Sequence, residues 1–177
     1  MSGGNDGFCF SYEVKETVDK GQGVFANEPI KKGSVVWRHV PGQYIVYDEK
    51  TFKVLISEMT YDEAVYELTH VFGLLDFPDC VIRVLDAGVL FNHESDCNLI
   101  TNNQNALEVP PDSTSPNYIQ DVTMALLDVR YAMIATRDIE AGEEFTNNYE
   151  TEVNDPPFFD ILYELYEIED TYLDNGN

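Results

Sequence analysis

Apolar and polar positions alternate near the start of the chain, where Phe8, Phe10, Tyr12 and Val14 are separated by smaller or polar residues. A period of two predicts a half-buried strand. Gly23–Ala26 forms a second short apolar run. A Pro29-to-Gly33 turn then leads into Ser34–His39, where Val35, Val36 and Trp37 favour strand. After the break at Pro41-Gly42, Gln43–Tyr47 and Thr51–Ile56 read as a pair of strands. The period then changes. Thr60 and Glu63 have capping-box spacing, and Ala64, Val65, Leu68 and Val71 supply an apolar stripe that predicts a helix to about residue 72. Val81–Leu85 and Leu99–Asn102 predict further strands, and Met124–Leu127 with Val129–Thr136 predicts a hairpin. Between them, Pro110–Asn117 holds three prolines and three hydroxyl residues and reads as a surface loop. The last element is a helix from about Pro157 to Ile168, capped by Asp155, with Phe158, Ile161, Leu162, Leu165 and Ile168 on one face. No internal repeat is present. The fold class is mainly β with few helices, built of several small sheets.

Composition adds bounds. At 177 residues, with 44% hydrophobic and 12% aromatic residues, the chain is expected to fold as one domain with a real core. The first twelve residues show no signal-peptide pattern, and no stretch approaches the roughly 20 apolar residues that span a bilayer. Cys9, Cys80 and Cys97 are scattered and never form C-x-x-C, which fits a reducing compartment and argues against a cysteine zinc site.

Charge changes the picture more. Ten Lys and Arg face 33 Asp and Glu, a net charge of −23, and no cation follows Arg137. Residues 1–53 are balanced, so the excess lies beyond them. Such a surface repels nucleic acid, which binds through phosphate neutralisation. It attracts basic protein segments, and it serves solubility equally well.

Three short patterns carry candidate chemistry. Gly21-Gln22-Gly23 permits positive φ or close approach of backbone to a ligand, and taken alone it is a tight turn between strands. Phe91-Asn92-His93 sets an amide beside an imidazole; His39, His70 and His93 are too far apart in sequence for a metal-ligand frame. Gly142-Glu143-Glu144-Phe145-Thr146-Asn147-Asn148-Tyr149 is a turn leading into a short strand that ends at a tyrosine, which by itself reads as a core tyrosine.

Their order resembles the SET-domain protein lysine methyltransferases. Gly21–Ala26 with Ile30-Lys31-Lys32-Gly33 looks like the start of such a domain, and Phe91–Asn98 is similar to its Asn-His box. Ala135-Thr136-Arg137-Asp138-Ile139-Glu140-Ala141-Gly142-Glu143-Glu144 matches its closing motif, with Tyr149 where the catalytic tyrosine belongs. The run Val36–Gly42 looks more like the small stand-alone bacterial and viral members than the chromatin enzymes.

The resemblance implies a β-clip-like SET fold of small sheets with a threaded pseudoknot, an exception to the rule against threading, plus a C-terminal helix. Residues 1–150 would form the domain, with a helical insert near 60–80 and a loop insert near 108–118. Residues 151–177 would be an acidic helical segment packing on it and closing the lysine channel in place of the family's zinc-binding tail, so no metal is expected. S-adenosylmethionine would be held by Gly21, Gln22, Gly23, Asn92 and His93, and Tyr149 would be catalytic. The substrate channel would draw on Tyr44, Tyr47, Asn147, Phe158, Phe159 and Tyr163. Glu94 and Cys97 stand where the family has serine and proline, and Asn147-Asn148 replaces an aromatic-Asp pair at a position that influences how many methyl groups are added. The implied partner is a basic protein carrying the target lysine, histone-like, ribosomal or other, with no direct nucleic acid and no membrane. The implied location is intracellular: cytoplasmic in a bacterial or viral host cell, nuclear if eukaryotic. A second reading stays open, a SET-like module without turnover that recruits a basic protein through its acidic surface.

Overall fold

The computed structural model describes residues 6–102 and 110–168. Among these residues, ten short strands form four small sheets. β1 (Tyr12–Glu16) and β2 (Gln22–Ala26) make an antiparallel hairpin. β3 (Val35–Trp37), β9 (Met133–Ala135) and β8 (Leu99–Thr101) lie in that order in a second sheet. β4 (Tyr44–Asp48), β6 (Phe77–Val84) and β5 (Val71–Leu74) form the third. The fourth is a two-residue parallel pair, β7 (Asn92–His93) with β10 (Thr146–Asn147). Segments 92–101 and 133–147 therefore engage twice, antiparallel at one end and parallel at the other, which is the crossing expected of the fold.

Among the described residues there are five α-helices: α1 (Glu49–Ser57), α2 (Tyr61–Leu68), α3 (Tyr118–Ala125), α4 (Tyr149–Glu152) and α5 (Phe159–Leu165). Several differ from the sequence-based expectation. Thr51–Ile56 is helix, not strand: the Asp48 carboxylate accepts from Thr51 N at 2.7 Å, and Phe52 and Ile56, one turn apart, are both buried. Thr60 and Glu63 do form a capping box, but α2 ends at Leu68 and Val71–Phe72 belongs to β5. Met124–Leu127 is no hairpin arm. It ends α3, whose buried Tyr118 and Val122 have helical spacing. Asp155 does not cap α5; its carboxylate accepts from the Tyr163 hydroxyl at 3.0 Å, and Ile161 and Leu165 face solvent. The buried positions of that segment are instead Phe158, Phe159 and Leu162. The part of the expected loop at 108–109, and the acidic tail beyond residue 168, lie outside the described residues.

β6 divides the interior. Cys80, Ile82 and Val84 face a main core with Trp37, Phe91, Leu99 and Phe145, while Val81 faces a second cluster with Phe52, Leu68 and Phe159. This is the period-two alternation of a strand buried on both sides. α5 is fastened to the helical side by the stacking of Phe159 on Phe52, with centroids 5.6 Å apart. Such aromatic pairs add about 1 kcal/mol beyond area burial. Asn154 N also donates to Gly73 O at 3.1 Å, and a Cβ on Gly73 would meet Asn154 O at 2.1 Å, so this close approach requires glycine.

In the main core, His39 is 5% exposed and wedged between Trp37 and Tyr44, at centroid distances of 4.7 and 5.0 Å. Burial pushes its imidazole down from 6.5 to about 4, although the Tyr131 main chain pulls the other way. The unfolded chain thus takes up a proton near pH 6.5 that the native chain refuses until about pH 4. Stability from this group is present above pH 6.5 and is lost as pH falls toward 4. Urea midpoints should show His39 contributing about 2 kcal/mol of the loss between pH 7 and pH 5. The His39→Phe variant should have a correspondingly flatter slope, and an unchanged slope would refute the assignment.

Candidate active site

Two anchors deliver the central residues. Trp37 Nε1 donates to both oxygens of Asp86, at 3.0 and 3.2 Å, and Gly7 N and Gly88 N each donate to the same carboxylate at 2.8 Å. These bonds fix the 3-10 turn Ala87–Leu90 that leads directly into Phe91-Asn92-His93. On the opposite side, the β1–β2 hairpin is closed by Thr17, whose N and Oγ1 both donate to Gly21 O, with Gly21 at φ +72°. Only glycine holds that conformation without strain.

The Asn92 amide nitrogen donates to Gln22 O at 3.1 Å and to Glu144 Oε1 at 2.6 Å. The same Glu144 oxygen packs over Gly23, where a Cβ would lie only 2.3 Å from it. The glycine turn and the closing motif therefore meet through one carboxylate. Glu144 is held by its own backbone: Asn98, 2% exposed, donates from Nδ2 to Glu144 O at 2.7 Å and accepts at Oδ1 from Thr146 N at 3.0 Å. One amide thus pins the strand that enters the site on both sides of Phe145.

In the parallel pair, Thr146 stands opposite Asn92 and Asn147 opposite His93, and Glu94 N donates to Asn147 O at 3.0 Å. Tyr149 is not a strand end as expected. The strand stops at Asn147, Asn148 accepts from Glu150 N, and Tyr149 opens α4. Its N–H donates to His93 Nδ1 at 3.1 Å, which places the histidine proton on Nε2. Its hydroxyl donates to the Phe91 carbonyl. With that proton committed, the phenolic oxygen presents itself to any further group as an acceptor.

Lys20 completes the rim. Its ammonium donates to His93 O at 2.9 Å and pairs with Glu94, which holds that carboxyl below the usual carboxylate range. Carbonyls of Gln22, Phe91 and His93 and the Glu144 carboxylate each accept from a donor of this site, and Asn147, paired with His93, carries a further acceptor, its Oδ1. That Oδ1 is buried and has no hydrogen-bond partner among the described residues. An acceptor-rich site of this kind suits a cationic ligand.

The structure brings Gly21, Gln22, Gly23, Asn92, His93, Asn147 and Tyr149 together. The other expected channel residues have the following surroundings. Tyr44 is buried, its hydroxyl on Thr123 O at 2.6 Å. Tyr47 packs on Phe52, Phe158 and Phe159 are buried in the second cluster, and the Tyr163 ring lies on Phe159. As the chain stands, the rings of Phe158 and Phe159 meet packed side chains and not an open lumen. Sequence reasoning did not identify Lys20, the Phe91 carbonyl or the role of the Glu144 carboxylate. Only Lys20 left a trace, an isolated cation beside the glycine turn.

The SET domain family model matches residues 21–150. Among solved structures, the chain is similar to the methyltransferase domain of human histone-lysine N-methyltransferase SETMAR, with a TM-score of 0.51 and 20% identity over 80% of this chain and 45% of that one. It is also similar to the Neurospora SET domain protein DIM-5, a histone lysine methyltransferase, with a TM-score of 0.51 and 18% identity over 84% of this chain and 55% of that one. The chain thus spans about half the length of these structures, and at such identity the likeness is one of fold. No curated protein matches the sequence.

Proposed function

The chain belongs to the SET-domain family, and from that premise we propose that it transfers a methyl group from S-adenosylmethionine to the side-chain amine of a lysine in a basic protein. The observation that carries this reading is the double anchoring of Tyr149, hydroxyl on Phe91 O and N–H on His93, beside an Asn92 tied to the glycine turn. Gly21, Gln22, Gly23, Asn92 and His93 would hold the cofactor, and Asn147 Oδ1 gives a buried acceptor for a cationic group.

When bound, the cofactor supplies an electrophilic methyl on a cationic sulfur. Transfer to a neutral lysine amine would form a C–N bond at the expense of the C–S bond and leave a neutral thioether, and the proton that the lysine ammonium must give up beforehand would pass to solvent. The protein's task is alignment, which can account for many orders of magnitude in rate. Tyr149 offers a fixed acceptor oxygen to the amine and to polarised C–H groups. The amine must react neutral, and both desolvation and a nearby cation lower its pKa. The acidic half of the chain supports a basic partner.

A second reading, recruitment of a basic protein without turnover, is favoured by one contact: Lys20 already occupies the main-chain carbonyl of His93, a residue expected to help hold the cofactor. Calorimetric titration with S-adenosylmethionine, followed by labelled cofactor and a basic-protein extract, tests both. Saturable binding with label on lysine is expected. Binding without label to any protein would favour the module, and no binding would defeat the proposal.

A further inference from the structure

A groove of about 580 Å³ opens between the end of α1 and the length of α2, away from Tyr149 in sequence and built from different elements. Helical spacing creates it: Asp62 and Tyr66, and Glu63 and Glu67, stand four residues apart and line the same wall. Glu58 and Met59 supply the other side. Four carboxylates therefore face one guanidinium, Arg83, which reaches the groove because it shares the helical face of β6 with Val81.

Glu67 is the telling residue. It is 3% exposed, and its Oε1 lies 3.0 Å from Arg83 Nε yet has no hydrogen-bond partner in proper alignment. Burial raises its pKa and Arg83 opposes that rise. A buried carboxylate oxygen left in this state is costly unless a further donor approaches it. Around it, Glu58, Asp62 and Glu63 are exposed, and Tyr66 presents an exposed ring.

We propose that this groove docks a lysine- or arginine-rich segment of a partner protein, with one cation reaching Glu67 and its aliphatic stem lying on Met59 and Tyr66. Long cationic side chains suit such a surface, since they bury their stems and keep the charge on carboxylates. Charge selects this occupant over two others. Residues 169–177 carry Glu169, Asp170 and Asp174 with no cation, and a second copy of the chain brings a net charge of −23. The identification of the partner as the methylation substrate rests on the proposed function; the docking itself does not.

The test is fluorescence anisotropy of a labelled oligolysine peptide against the full chain, without cofactor, at low and moderate salt. The paired change Glu58→Gln with Asp62→Asn should weaken binding roughly tenfold. The matched pair Glu16→Gln with Glu140→Gln, which alters net charge equally at exposed positions elsewhere, should leave it within about twofold. Equal weakening by both pairs would mean attraction to overall charge only and would overturn the proposal. So would stronger peptide binding after removal of residues 169–177, or protection of the groove by dimerisation in sedimentation. A chain that binds at the groove but transfers no methyl would leave the docking intact and defeat the enzyme reading alone.

Discussion

Tyr149→Phe should lower methyl transfer by at least about a hundredfold while the protein stays folded and continues to bind S-adenosylmethionine. A misplaced reacting group costs on that order, and the lost oxygen is the only part of the side chain offered as an acceptor to the reacting groups. The remaining anchors stay. The Tyr149 N–H still donates to His93 Nδ1, and the ring still lies against the imidazole with centroids 5.5 Å apart. The bond to Phe91 O is removed, a loss of about 1 kcal/mol. Single-turnover rates alongside melting and calorimetry separate these effects. Transfer within tenfold of the parent would show that the phenol does not act at the reaction centre, whatever the fold implies.

The second large effect concerns stability. Asn98→Ala should cost about 3 kcal/mol, because it removes two good hydrogen bonds and strands both Glu144 O and Thr146 N in a buried crossing. A denaturant titration should show a lower midpoint at unchanged slope. Asn98→Asp is the instructive companion. It keeps an acceptor for Thr146 N but turns a carboxylate oxygen toward Glu144 O, so it should not rescue. Loss of Asn98 should also depress transfer at temperatures where the chain remains folded, since the strand it pins carries Thr146 and Asn147 into register with Asn92 and His93. A variant of near-parent stability would mean that the parallel pair holds itself without the amide.

These effects fall on residues that the sequence makes visible to different degrees. Gly21 is legible from its turn alone, whereas Asn92 and Tyr149 stand out only because the order of the three patterns resembles a known family. The contacts that give them meaning are not legible, since nothing local sets a bond from Lys20 to His93 O across 73 positions. The helical insert shows the same division. Thr60 and Glu63 announce α2 through a local hydrogen-bond motif that the structure reproduces. α1 hides, because Thr51, Val54 and Ile56 favour strand by branching at Cβ, and only the Asp48 cap and the spacing of Phe52 and Ile56 point to a helix. Packing against Phe159, more than a hundred positions later in the chain, settles the matter. The aromatic residues proposed as channel walls illustrate the limit from the other side: a phenylalanine near a site in sequence reads identically whether it lines a lumen or fills a core.

The crossing of segments 92–101 and 133–147 also sets an order of events. Asn92 meets Gln22 across 70 positions, and Tyr149 meets Phe91 across 58. Such distant closures are slow and come late, after local hairpins and helices have formed. A chain emerging from the ribosome, or a fragment cut before residue 149, would own the glycine turn and the Asn-His pair and still lack the assembled candidate site. The same geometry predicts that β10 detaches before the β4–β6–β5 sheet is lost on heating, so methyl transfer should vanish first.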